Sequence, residues 1–173
     1  KQPEEVIQME FLKAHNIRPI RAEPLVELSR INRMNGRAGA AYIFAKRAVE
    51  IPFPKNDILF ISEDVYRYVA LDELGATAFY AGKPHEGYAA CKKLLDENRI
   101  TKEHRVRVET NLSEYKKVLK QIHGDNYEKG IDNDIREIYK QKSNEDEQKN
   151  IDLKSQSKEP IKKKLYKKRK IKK

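Results

Sequence analysis

Apolar residues recur every three to four positions along most of the first 142 residues, which is the spacing of one buried face of an α-helix. Glycines and prolines are expected at the points where these helices start or stop. The pattern therefore predicts an all-α body. Helices are expected at about 3–15, 24–35, 38–51, 62–81, 84–97 and 101–122, with a weaker one at 131–141.

Two segments of this body resemble each other, LVELSRINRMNGRAGAAYIFAKRAVEIP at 25–52 and LDELGATAFYAGKPHEGYAACKKLLDEN at 71–98. Each has two leucines three positions apart, then a small residue, a glycine that ends the helix, and a second small residue five positions later. Small residues allow two antiparallel helices to approach closely. The matched positions are Leu25/Leu71, Leu28/Leu74, Ser29/Gly75, Gly36/Gly82 and Ala41/Gly87.

This spacing resembles the tetratricopeptide repeat, in which helix hairpins bury little surface alone and stack on their neighbours. The two units are farther apart than a repeat of about 34 residues requires, and an insertion in the loop at 52–64 accounts for the extra length. The resemblance implies antiparallel helix hairpins stacked as a short solenoid. The second unit, with Leu94 at its end, matches the repeat better than the first.

A more particular resemblance covers about Arg18 to Leu95, in the strings RAEPLVELSR, AYIFAKRAVEIPFPKNDILFISEDVY and LDELGATAFYAGKPHEGYAACKKLL. The most specific part is a loop with two prolines, followed by an apolar run and an acidic helix start. These strings resemble the helical-repeat segment that follows the catalytic domain in some family 2, GT-A-like glycosyltransferases. The resemblance implies a non-catalytic helical module carried on, or next to, a sugar-transferring enzyme.

The chain is expected to have three parts. Residues 1–17 form an N-terminal helix, which is either a separate element or the end of a preceding domain or repeat. Residues 18–142 form the tetratricopeptide-like repeat domain, and residues 143–173, which have few apolar positions, form a disordered Lys-rich tail. The first residue is Lys1 and not Met, which favours a fragment of a longer protein.

The net charge of +10 is concentrated at the end of the chain, where residues 161–173 hold nine Lys and Arg and no acid. Such a run is attracted to RNA, DNA or an anionic membrane surface. The alternative is a tail that only increases solubility. Its one aromatic residue is Tyr166, so base stacking is not indicated. The candidate anion-binding residues are Lys162, Lys163, Lys164, Lys167, Lys168, Arg169 and Lys170.

No constellation of catalytic residues stands out. The four histidines are scattered, and the one cysteine, Cys91, lies among small and apolar residues where packing is favoured over a nucleophilic role. The string Asp132-Asn133-Asp134 offers two carboxylates, but no strand precedes it, so helix capping is favoured over metal binding. The fragment is therefore predicted to have no catalytic residue, metal or cofactor. Whether the parent protein is a glycosyltransferase stays open.

Two groups of residues are candidates for partner binding. Arg30, Arg33 and Arg37 recur at helical spacing, so they line one side of the second helix, where forked hydrogen bonds to carboxylates or phosphates are possible. The alternative for this stripe is an ordinary solvated face. For a set of four aromatic residues, packing is favoured over a binding surface; these are Tyr66, Tyr68, Phe79 and Tyr80.

These observations predict a non-catalytic scaffold or protein-interaction module whose partner is another protein or a neighbouring catalytic domain. The alternative is a small anion- or nucleic-acid-binding protein that acts through its Lys-rich tail, with weak contact to nucleic acid or an anionic membrane. No apolar stretch is long enough to span a membrane, and no secretion signal precedes the first helix. A cytoplasmic location is expected.

Overall fold

The computed structural model describes residues 2–57 and 59–127, and every regular element in this part of the chain is helical. All of these residues belong to the first of two units, which ends at Asp132. The all-α prediction is therefore confirmed for this part. The predicted helix at 131–141 and the tail lie outside the described residues. The six α-helices are α1 (Glu4–Ile17), α2 (Glu23–Met34), α3 (Ala38–Glu50), α4 (Ala70–Thr77), α5 (Pro84–Asp96) and α6 (Lys102–His123).

Proline and glycine set most of these boundaries, as the sequence predicts. Pro24 and Pro84 lie in the first turns of α2 and α5, where a missing N–H leaves no hydrogen bond unmade. Gly36 and Gly82 follow the ends of α2 and α4 with φ of 70° and 68°, a left-handed conformation that costs glycine little. The chain therefore reverses sharply after both helices.

Each helix packs against the next one along the chain, and α4 also contacts α2 and α6. The connections between α2 and α3, α4 and α5, and α5 and α6 are short, so these neighbouring helices are antiparallel. Small residues lie at the contacts, as expected from their spacing. The Ser29 hydroxyl donates to the Ala41 carbonyl at 2.9 Å, which joins α2 to α3.

Two glycines lie within helices and do not mark helix ends. These are Gly75 of α4 and Gly87 of α5, both among the matched small residues of the two similar segments. A Cβ atom on Gly75 would lie 2.8 Å from Cys91 Sγ, so α4 and α5 approach too closely for a larger residue. Gly87 is covered in the same way by Tyr115 of α6. Helix packing, and not chain reversal, explains these two glycines.

The fourth predicted helix contains a π-helical turn, Val65–Val69, that runs directly into α4. Burial along this segment does not follow the apolar character of the residues. Phe79 is 40% exposed, whereas Asp72 and Glu73 are 7% and 6% exposed. The reason is that α4 lies among four other helices, so it is buried on several sides and not along one stripe.

The two ends of the helical array are less well covered than its middle. No residue of α1 is fully buried, although Phe11 packs against the apolar cluster that α2 and α3 form. In α6, Val108, Tyr115 and Leu119 are buried, whereas Ile122, in the last turn of the helix, is 56% exposed.

The loop between α3 and the π-helical turn is tied to the start of α2. Arg21 pairs with Glu23 at 2.8 Å and with Asp57 at 3.3 Å. The Tyr66 hydroxyl donates to Glu23 Oε2 at 2.7 Å and accepts from the Ala22 N–H at 3.1 Å. Burial raises the pKa of Tyr66 to about 12. These bonds hold the inserted loop against the helices.

Candidate functional site

The candidate site lies on the surface where α4 and α6 meet. Between these two helices the surface deepens into a cleft. The residues that line it are Gly75, Ala76, Phe79, Tyr80, Asn111, Glu114 and Tyr115. We call this set the α4–α6 cleft.

The floor of the cleft is fixed by Tyr115. Its side chain is almost completely buried, and its hydroxyl donates to the Gly75 carbonyl at 2.8 Å. Burial raises the pKa of Tyr115 above its ordinary value. Because Gly87 has no side chain, the tyrosine ring lies directly on the backbone of α5. The Tyr115 side chain is therefore held in place, and its hydroxyl proton already takes part in a hydrogen bond.

The rim of the cleft formed by the turn after α4 is aromatic. Phe79 contacts Tyr115 edge to face with ring centroids 5.6 Å apart, and it contacts Tyr80 at 5.5 Å in a similar orientation. Tyr80 is 76% exposed. An aromatic side chain held by neighbouring rings loses little conformational freedom on binding. The rim thus offers an apolar face that is open to solvent.

The α6 rim is polar. Asn111 and Glu114 lie three positions apart, so they project on the same side of the helix, and both line the cleft. Within the described residues, no intramolecular hydrogen bond engages the Asn111 side-chain amide. An asparagine amide has donor and acceptor atoms side by side, which matches one peptide group of an extended chain. Glu114 pairs with Lys117 at 2.6 Å.

Ion pairs join α4 to α2 and to α6. Arg33 of α2 donates two hydrogen bonds of 2.9 Å to the buried Glu73 of α4. Arg107 of α6 pairs with the buried Asp72 of α4. The bonds to Glu73 raise the pKa of Arg33 above its ordinary value. Two buried carboxylates on one helix are thus each neutralised by an arginine of a neighbouring helix.

The predicted arginine stripe takes part in these intramolecular pairs. Arg30 pairs with Glu27 at 2.8 Å and lies 3.8 Å from Glu73. Arg37 donates to Asn32 Oδ1 at 2.7 Å and pairs with Glu4 of α1. All three guanidinium groups remain partly exposed. Their role in partner binding stays a prediction.

The aromatic residues singled out from the sequence divide into two groups. Tyr68 is buried and Tyr66 packs against the core, in agreement with a packing role. Phe79 and Tyr80 instead form the open rim. Sequence reasoning named these two for packing and did not single out Asn111 or Glu114. The one available signal was their helical spacing after Arg107, which forms a polar stripe beside the buried positions of α6.

The described residues form no catalytic arrangement around Cys91. The thiol is buried, and burial raises its pKa to about 12, so it carries almost no thiolate at neutral pH. His85 approaches His123 of α6, and no bond joins His85 to Cys91 in the described structure. The string Asp132-Asn133-Asp134 and the anion-binding lysines of the tail lie outside the described residues.

Among the residues the structure describes, no group of three or more His, Cys, Asp or Glu side chains is placed to hold a metal ion. None of the helices in the same part of the chain combines the length and the apolar character that crossing a bilayer requires. Comparisons with protein-family models, with curated proteins and with solved structures found no match to this chain. The resemblances described from the sequence therefore stay predictions.

Proposed function

We propose that this chain is a non-catalytic, tetratricopeptide-like scaffold that binds a protein partner in the α4–α6 cleft. The observation that carries the proposal is the cleft itself. It places an open aromatic rim on Tyr80 and Phe79 opposite an unengaged amide on Asn111. The repeated packing of helices with small residues at their contacts supports the stacked-hairpin architecture.

The chemistry of the cleft favours an extended peptide segment. One apolar side chain of the peptide would pack on the aromatic rim, and the Asn111 amide would bond one peptide group. Glu114 favours a Lys or Arg at a neighbouring position of the peptide. In a longer protein this segment belongs either to a neighbouring catalytic domain or to another protein.

A random peptide library displayed on phage tests this proposal. Peptides selected on the intact chain are expected to pair an apolar residue with a basic one. They should bind Tyr80→Ala and Asn111→Ala at least about tenfold more weakly, a loss of about 1.4 kcal/mol. The matched control is Val106→Ala, because Val106 is an exposed residue of α6 that does not line the cleft. If selected peptides bind Tyr80→Ala as tightly as the intact chain, the cleft is not the binding site.

We also propose that the parent protein is glycosyltransferase-like, with this chain as its C-terminal part. The support is the sequence similarity over about Arg18 to Leu95. The chain itself is expected to show no hydrolysis or transfer of nucleotide-sugars with Mg²⁺ or Mn²⁺. Turnover that is lost in Asp132→Ala would contradict the non-catalytic role.

A second function is favoured by one sequence observation, the run of nine Lys and Arg at 161–173. We propose that this run gives the chain a salt-dependent affinity for nucleic acid or other polyanions. The two functions are compatible, because the run is separate in sequence from the residues of the cleft.

A further inference from the structure

Two histidines from different helices meet at one end of the α5–α6 pair. His85 lies in the first turn of α5 and His123 is the last residue of α6. Their Nε2 atoms are 2.8 Å apart, and the ring centroids are 5.0 Å apart with the ring planes at 60°. The pair is exposed. Because α5 and α6 are antiparallel, these two helix ends are held side by side by the packing of the whole hairpin.

The two nitrogens share one hydrogen when both rings are neutral, with one Nε2–H donating and the other Nε2 accepting. A divalent ion can replace that hydrogen. Two imidazole nitrogens bound to one ion at about 2.0–2.1 Å lie about 2.9–3.4 Å apart, only a few tenths of an ångström more than in the present pair. On binding, the Nε2 proton of the donor ring moves to its Nδ1, so both rings stay neutral and no proton is lost.

We propose that His85 and His123 form a two-histidine site for a borderline divalent ion of the Zn²⁺, Ni²⁺ or Cu²⁺ class. Imidazole nitrogen suits these ions, whereas Mg²⁺ and Ca²⁺ take oxygen ligands. These two side chains supply two of the ligands of the ion, and an ion held by both clamps the start of α5 to the end of α6.

The charges nearby are compatible with a bound cation. The carboxyl end of α6 carries a partial negative charge, and His123 lies at that end. Lys120, the nearest lysine in the last turn of α6, already pairs with Asp125 at 2.7 Å. Its positive charge is therefore partly compensated before an ion binds. The proposal does not depend on the α4–α6 cleft or on its ligand.

The experiment titrates ZnCl₂ and NiCl₂ into the full chain, without a polyhistidine tag, in a buffer that does not chelate metals. Calorimetry is expected to give one ion per chain. At about a hundredfold excess over the dissociation constant, the melting temperature should rise by roughly 5–10 °C. His85→Ala and His123→Gln should each abolish this shift, and His104→Ala, at the opposite end of α6, should retain it.

The shift of each variant is measured from its own metal-free melting temperature. A lower stability of the variant is therefore not mistaken for a loss of metal binding. A Cu²⁺ complex provides a second readout, since its electron paramagnetic resonance spectrum should show two coordinating nitrogens in the intact chain and fewer in either variant of the pair. The proposal is overturned if His85→Ala keeps the full thermal shift. It is equally overturned if no ion binds, or if His104→Ala loses the shift to the same extent.

Discussion

Among the described glycines, Gly87 has the least room for an added side chain. An added Cβ atom would lie 2.1 Å from both Cζ and Oη of Tyr115, and the tyrosine cannot retreat because it is buried and bonded to Gly75. Gly87→Ala is therefore expected to destabilise the chain by about 1–3 kcal/mol. It should also open the floor of the α4–α6 cleft. Urea unfolding followed by circular dichroism measures the change.

Gly39→Ala is the matched control for this substitution. Gly39 is also a helical glycine, in α3, but a Cβ atom there would meet nothing within 4 Å. Alanine is a better helix former than glycine, so this change should stabilise the chain by up to about 1 kcal/mol. Equal effects of the two substitutions would show that the contact between Gly87 and Tyr115 is absent in solution.

Cys91 should be a nearly inert thiol in the native chain. It is buried against Gly75 of α4, and burial raises its pKa to about 12. Because the thiolate is the reacting species, Ellman's reagent should modify Cys91 slowly at neutral pH and rapidly in denaturant. Fast modification of the native chain, at the rate of a small free thiol, would contradict the packing role.

At the scale of elements, the inserted loop depends on Glu23 at the start of α2. Burial alone would raise the pKa of Glu23, but the hydrogen bonds from Arg21, Tyr66 and the Ser62 N–H outweigh it and hold the pKa below its usual 4.5. A carboxylate with a lowered pKa stabilises the folded state above its unfolded pKa. This contribution is lost as the pH falls through the folded pKa.

Glu23→Gln is therefore expected to lower stability at neutral pH and to weaken the further loss of stability below about pH 4.5. Thermal unfolding between neutral pH and about pH 3 measures both effects. Glu63→Gln is the control, because Glu63 is an exposed residue just after the same loop. If both variants follow the pH dependence of the parent chain, the network at Glu23 does not anchor the loop.

The helices themselves were predictable because glycine and proline act locally on the backbone. The effect of a glycine or proline on a helix end does not depend on the rest of the fold, as at Pro24, Gly36, Gly82 and Pro84. The structure places the helix boundaries within a few residues of the expected ones. The π-helical turn at Val65–Val69 was not predicted. A π turn depends on how two elements fit together in space, which apolar spacing along one segment does not report.

Burial on α4 was harder to predict for a similar reason. Asp72 and Glu73 have the sequence pattern of exposed residues, yet arginines from α6 and α2 neutralise them in the interior. The cleft has the same origin, because Tyr80 follows α4 and Asn111 lies in α6, with the whole of α5 between them. Such sites can be identified only once it is known which helices pack against each other.

At the scale of the whole molecule, the charge is divided between a nearly neutral body and a strongly basic end. A polyanion should therefore be bound through residues 161–173 and not through the helices. A chain ending at Pro160 should lose most of its affinity for a fluorescent RNA oligomer at about 0.1 M salt.

The salt dependence gives the sharper test of this division. Each phosphate contact on single-stranded RNA contributes about −0.7 to the slope of log K against log salt, so the intact chain should show a steep slope and the shortened chain almost none. Tyr166→Ala is the matched control. Tyr166 is the only aromatic residue of the run, and the RNA is expected to be bound by charge and not by stacking.

Equal affinities of the intact chain and the chain ending at Pro160 would place RNA binding on the body. A loss in Tyr166→Ala comparable to that of the truncation would instead indicate a stacking contact.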